Sequence, residues 1–188
     1  SITDEIQLTS EKLSKIGFIE NRLLENTKTN DSSYVAKFSL GERINSIHIY
    51  IGRDSEIIDL ISLAKTKDSL TLPYTETEPF LTKNLLELER KGFALAKLKL
   101  VNIHKKQKTL YADLQFEFGQ QRQLNAIVVK FAESNKKNSF PEGHLKQINQ
   151  KYRNTAFNQD IVQKIYHDFE KFRFVNQIKY PEILFTKD

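Results

Sequence analysis

From Leu110 to Phe118 the chain alternates without a fault: Leu110, Ala112, Leu114, Phe116 and Phe118 are apolar, and Tyr111, Asp113, Gln115 and Glu117 fall between them. A period of two predicts a strand with one buried and one wet face. Tyr34, Ala36, Phe38 and Leu40 carry the same pattern upstream. Less regular strand-like runs at 19–27 and 93–103 precede these strands, and the polar segments "KTNDSS" and "HKKQK" join each pair as a hairpin. Another apolar run follows each hairpin, at 44–51 and 124–131, and predicts a further strand.

Elsewhere the period changes to that of a helix. Phe80, Leu81, Leu85 and Leu88 fall at helical spacing behind Thr77, a suitable N-cap, with Pro79 in the first turn. Further helices are predicted up to Lys15, at 55–64, at 141–152, and behind Asn158, where Ile161, Ile165, Phe169 and Phe172 recur every three or four residues.

These elements repeat in register. Gly17-Phe18 matches Gly92-Phe93, Phe38-Ser39-Leu40-Gly41 matches Phe116-Glu117-Phe118-Gly119, and 47–51 matches 127–131, at separations of roughly 75 to 80 residues. A weaker third copy puts Phe174 in the place of Phe93, with Arg173 instead of the glycine. The unit reads strand, helix, helix, strand, strand: an α+β architecture with two helices on one face of a three-stranded sheet. Counting elements predicts a partial unit over 1–42 (helix, strand, strand), a complete one over 43–121, and one lacking its last strand over 122–188, as expected for a piece of something longer, with divergent terminal caps as the alternative. Gly17 and Gly92 each stand where a helix ends and left-handed backbone favours glycine. Gly41 and Gly119 are expected to be structural too, and Phe18, Phe93, Phe116 and Phe118 to be core residues.

Composition narrows the function. The 188 residues are 39% hydrophobic and 11% aromatic, enough to bury real cores. The apolar runs are too short and too interrupted by charge to cross a bilayer as a helix, and no signal-like segment follows Ser1, so any signal or anchor is expected outside this stretch. Without cysteine there is no disulfide or thiolate chemistry. The net charge of +5 permits an acidic partner without demanding one. His48, His104, His144 and His167 lie far apart with no metal-ligand spacing, no GxSxG elbow accompanies the serines, and no glycine-rich phosphate loop is present. No catalytic residue, metal or cofactor is expected. The cluster Lys97, Lys99, Lys105, Lys106 and Lys108 reads first as a solvated hairpin.

The order of elements, the helix ending in "KGF" or "IGF", and the "FxFG" or "FxLG" strand end followed by an "IxI" strand resemble POTRA domains, the polypeptide-transport-associated modules. Tandem POTRA units precede the membrane barrel in the BamA and TamA superfamily of outer-membrane assembly proteins and in related two-partner secretion pores. The resemblance covers essentially the whole chain and implies a periplasmic binding platform attached to the outer membrane through a C-terminal β-barrel beyond this stretch. Its partners would be unfolded outer-membrane or secreted polypeptides and accessory assembly proteins, received by adding an extended segment to an exposed sheet edge. The family's edge strand corresponds to 93–103, so Phe93, Leu95, Lys97, Leu98, Lys99, Leu100, Val101 and Ile103 are the candidate client-binding residues. Lys97 and Lys99 suit gatekeepers against uncontrolled pairing as well as contacts. Two alternatives stand beside this reading. One is a basic module for single-stranded nucleic acid, disfavoured because the strand phenylalanines fall on the face that helices should cover, so no nucleic-acid partner is expected. The other is the periplasmic part of a cell-division protein, disfavoured by the tandem copies.

Overall fold

A computed structural model describes residues 1–30, 33–52, 68–132 and 140–186. The helix expected at 55–64 and the tip of the first hairpin lie outside the described residues. The chain is α+β and forms two compact units, one of Ser1–Asn84 with Leu98–Phe116, the other of Leu85–Lys97 with Glu117–Asp188. These units follow packing, whereas boundaries after 42 and 121 follow the repeat of elements.

In the first unit, helix α1 (Ile2–Lys15) starts at Ser1, whose hydroxyl accepts from the Asp4 amide at 3.3 Å. It leads into an antiparallel hairpin of β1 (Arg22–Asn30) and β2 (Ser33–Ser39). Tyr34, Ala36 and Leu40, expected on a buried face, are exposed, and α1 buries no residue. Alternation prepared an apolar face, but two strands among the described residues are too few to build a core against it.

The second sheet of this unit has the order β4-β3-β6-β5, from β3 (Ser46–Tyr50), β4 (Ser69–Pro73), β5 (Lys97–Lys106) and β6 (Thr109–Glu117). β3 runs parallel to β6 and antiparallel to β4. The sheet is therefore four-stranded where three strands were expected: β4 offers only Leu70 and Leu72 as an alternating signal before Pro73. Ile47 and Ile49 of β3 and Leu110, Ala112 and Leu114 of β6 share one face and, with Ile44 and Ile51, make the core. Phe80 and Leu81 of helix α2 (Thr77–Arg90) pack on it, as do Leu98 and Leu100 of β5. Each fully buried isoleucine contributes about 1.5–3 kcal/mol. Thr77 does not cap α2. A 3-10 turn, Tyr74–Glu76, runs straight into the helix, and the Thr77 hydroxyl donates to the Tyr74 carbonyl at 2.7 Å.

The second unit centres on α3 (Glu142–Tyr152) and α4 (Gln159–Glu170), packed through Ile148, Tyr152, Ile165 and Phe169. Asn158 caps α4 as expected, its side-chain oxygen accepting from the Ile161 amide at 2.9 Å. Its amide group donates to the Arg90 carbonyl at 3.3 Å, and Glu89 accepts from the Gln159 amide at 3.0 Å. Asp168 accepts from Lys151 Nζ at 2.6 Å, Lys171 Nζ at 2.7 Å and the Tyr152 hydroxyl at 2.6 Å. Those donors, Lys151 first, hold the Asp168 carboxyl well below the usual carboxylate range.

The strands expected at 124–131 and after Phe174 form no ladder among the described residues. In the first unit, β3 and β5 both pair with β6 and never with each other. The described residues of the second unit contain no equivalent of β6, so these segments find other partners. Leu124 exchanges backbone bonds with Thr155 and Asn154, at 3.0 and 2.9 Å. Asn149 stands in for a neighbouring strand: its side chain accepts from the Ile127 amide at 2.7 Å and donates to the Ile127 carbonyl at 3.1 Å.

Candidate polypeptide-binding edge

β5 is the outermost strand of the four-stranded sheet, and among the described residues only β6 pairs with it. Its other side presents backbone donors and acceptors that an extended chain could match. Of the candidate edge residues, Lys97, Leu98, Lys99, Leu100, Val101 and Ile103 lie in β5. Phe93 and Leu95 do not. Residues 93–96 close a turn, with the Ala96 amide donating to the Phe93 carbonyl at 3.0 Å, and Phe93 packs against Phe118 with ring centroids 5.8 Å apart. The turn follows from the helix end at Gly92: the chain must reverse before it can enter the sheet.

Both joint glycines adopt the backbone expected of them, φ +107° at Gly17 and +94° at Gly92. The structure adds a second reason for glycine. The Gly17 carbonyl accepts from the Ile44 amide at 2.8 Å, and the Gly92 carbonyl accepts from the Arg122 amide at 2.7 Å. A Cβ at either glycine would press on the carbonyl oxygen of the residue that donates to it. Two copies of one joint thus recur 75 residues apart. Gly41 and Gly119 follow the second strand of their hairpins, and Phe18 and Phe116 are half-buried.

The alternation of β5 breaks at Asn102, which has φ +53° and donates to Asp113 at 2.7 Å. Before it, Leu98 and Leu100 face the core; after it, Ile103 is 56% exposed and His104 lies on the opposite face, stacked on Tyr111 at 5.4 Å. Sequence reasoning missed this open face. Ser46, His48 and Tyr50 of β3 and Thr109, Tyr111 and Asp113 of β6 occupy the outward positions that alternation had marked only as wet. Their rings meet: His48 lies 4.8 Å from Tyr50 and 5.5 Å from Tyr111. Reading the identities of the outward residues, not only their polarity, would have found the row.

Five lysines mark the hairpin. Lys97 pairs with Glu117 at 3.5 Å. Lys105 reaches Glu20 at 3.1 Å and Glu42 at 3.4 Å, and the hydrogen bond to Glu20 is the chief reason that its pKa is raised. No cluster of potential metal ligands is found among the described residues, and no described helix is long and apolar enough to cross a membrane.

No protein-family model matches the chain, and no curated protein matches it. Among solved structures it is similar to the crystal structure of Haemophilus influenzae BamA POTRA3-5, with a TM-score of 0.51 and 16% sequence identity. The match covers 93% of this chain and 71% of that one. The likeness is one of fold, and the fold is POTRA-like.

Proposed function

We propose that this chain is the periplasmic POTRA region of an outer-membrane assembly or secretion factor, which receives unfolded polypeptides and accessory subunits by strand addition to β5. The role is binding, not catalysis, and a membrane β-barrel belongs to the same full-length chain. The observation that carries the reading is the outermost place of β5 in a POTRA-like sheet, with only β6 beside it among the described residues. Backbone pairing there tolerates sequence variation, which suits clients defined by β-propensity. A second reading, a platform for single-stranded nucleic acid, has one observation in its favour: rings on an open sheet face beside exposed Lys106 and Lys108.

Titration of the isotope-labelled protein with an unfolded barrel-strand peptide separates the two. The expected result is amide shifts concentrated on β5, weakly dependent on salt, with no comparable response to a single-stranded oligonucleotide of similar length. Steeply salt-dependent oligonucleotide binding without peptide binding would sink the proposal.

A further inference from the structure

The ring row ends at the client edge. Thr71, His48 and Tyr111 stand at one level on β4, β3 and β6, as the strand registers place them, and His104 continues the row on β5. The row is continuous: His48 Nδ1 lies 2.7 Å from Thr71 Oγ1, and the His48–Tyr111 and Tyr111–His104 centroids are 5.5 and 5.4 Å apart. The last pair is stacked, with 16° between planes. His104 is exposed, with no further strand beside it among the described residues. It reaches this face because the left-handed backbone at Asn102 reverses the phase that sends Leu98 and Leu100 to the core.

A strand added to β5 continues the pleat of the sheet, so alternate side chains of the newcomer rise on the open face and one of them adjoins His104. A ring at that position extends the row, whereas an aliphatic side chain gains only contact area. Lys106 follows His104 by two residues and therefore shares its face, where it favours a carboxylate on the incoming strand. From this geometry we infer that β5 selects extended segments with an aromatic side chain opposite His104 and an acidic one two positions away. The inference rests on β5 being the client edge.

Two peptides of alternating pattern, identical except for Tyr or Leu at one open-face position and each with Glu two residues away, test it against the intact protein. The wild type is expected to bind the tyrosine peptide about 2- to 10-fold more tightly. His104→Ala should bring that ratio close to one by weakening the tyrosine peptide more than the leucine peptide, and His104→Phe should restore the preference. Equal affinities in the wild type overturn the selection and leave the edge reading standing. Failure of both peptides to bind overturns both. Oligonucleotide binding that is lost in His104→Ala and falls steeply with salt overturns both in favour of a nucleic-acid platform.

Discussion

Replacing Gly17 by alanine tests the joint at the point where sequence and structure give different costs. By sequence alone, alanine there costs only the left-handed backbone, about 1–2 kcal/mol. The structure adds a close approach: a Cβ at Gly17 would lie 2.4 Å from the Ile44 carbonyl oxygen and 3.1 Å from Arg43 Cγ. The oxygen is main chain, so it can retreat only if the backbone moves. That strains the 2.8 Å bond from the Ile44 amide to the Gly17 carbonyl, worth about 0.5–1.5 kcal/mol. It also displaces Ile44, which is 1% exposed and whose burial is worth about 1.5–3 kcal/mol, of which a partial shift forfeits a fraction. Gly17→Ala is expected to cost about 3–4 kcal/mol in total. Gly52 is the internal control, with φ +84° and, among the described residues, nothing within 4 Å of where an alanine methyl group would stand. Gly52→Ala should cost only about 1–2 kcal/mol. Both substitutions also lower the entropy of the unfolded chain by a similar amount, so the difference between them reports the contact. Urea unfolding of the two variants measures it. If they lose the same stability to within about 0.5 kcal/mol, the close approach contributes nothing and the reasoning fails.

Asp168→Asn removes the carboxylate shared by Lys151, Lys171 and Tyr152, and is expected to cost about 1.5–3 kcal/mol at pH 7. Because the folded-state pKa is depressed, this contribution is complete above the ordinary carboxylate value near pH ~4 and is lost as pH falls toward the folded value, so the gap between wild type and variant should close in acid. A gap independent of pH refutes the assignment. Asn149→Ala should free the Ile127 amide, speeding its hydrogen exchange and costing about 1–3 kcal/mol; unchanged protection would show that the bridge is idle. Asn102→Val puts a β-branched residue at φ +53° and removes the partner of Asp113, at a cost of about 1–3 kcal/mol. The ring-current shift of His104 against Tyr111 should collapse with it, and a preserved shift would detach the phase reversal from Asn102.

The elements were legible wherever a local rule was strong. Alternation from Leu110 to Phe118 matches β6 up to its end at Glu117, and Asn158 caps the helix that follows it because a side-chain oxygen beside free amides needs nothing distant. β5 itself was legible as a strand, but its start was placed at Phe93, since apolar identity does not show that the chain turns after Gly92 before entering the sheet. Its edge character was legible through the resemblance. The face beside that edge was not, because the step at Asn102 that brings His104 onto it is a single backbone angle.

Composition, period and repeat by themselves determined the α+β class, the glycine-ended helices at Gly17 and Gly92, and which residues could be apolar cover, because each rests on geometry within a few neighbouring residues. Tertiary structure alone decided which of these possibilities became sheet. β4 joined because β3 offered it an open side, whereas 124–131 forms no ladder among the described residues although it carries the same apolar signal as β3. Pairing is a property of two segments and the partner between them, so a strand's own residues can qualify it for a sheet without placing it in one.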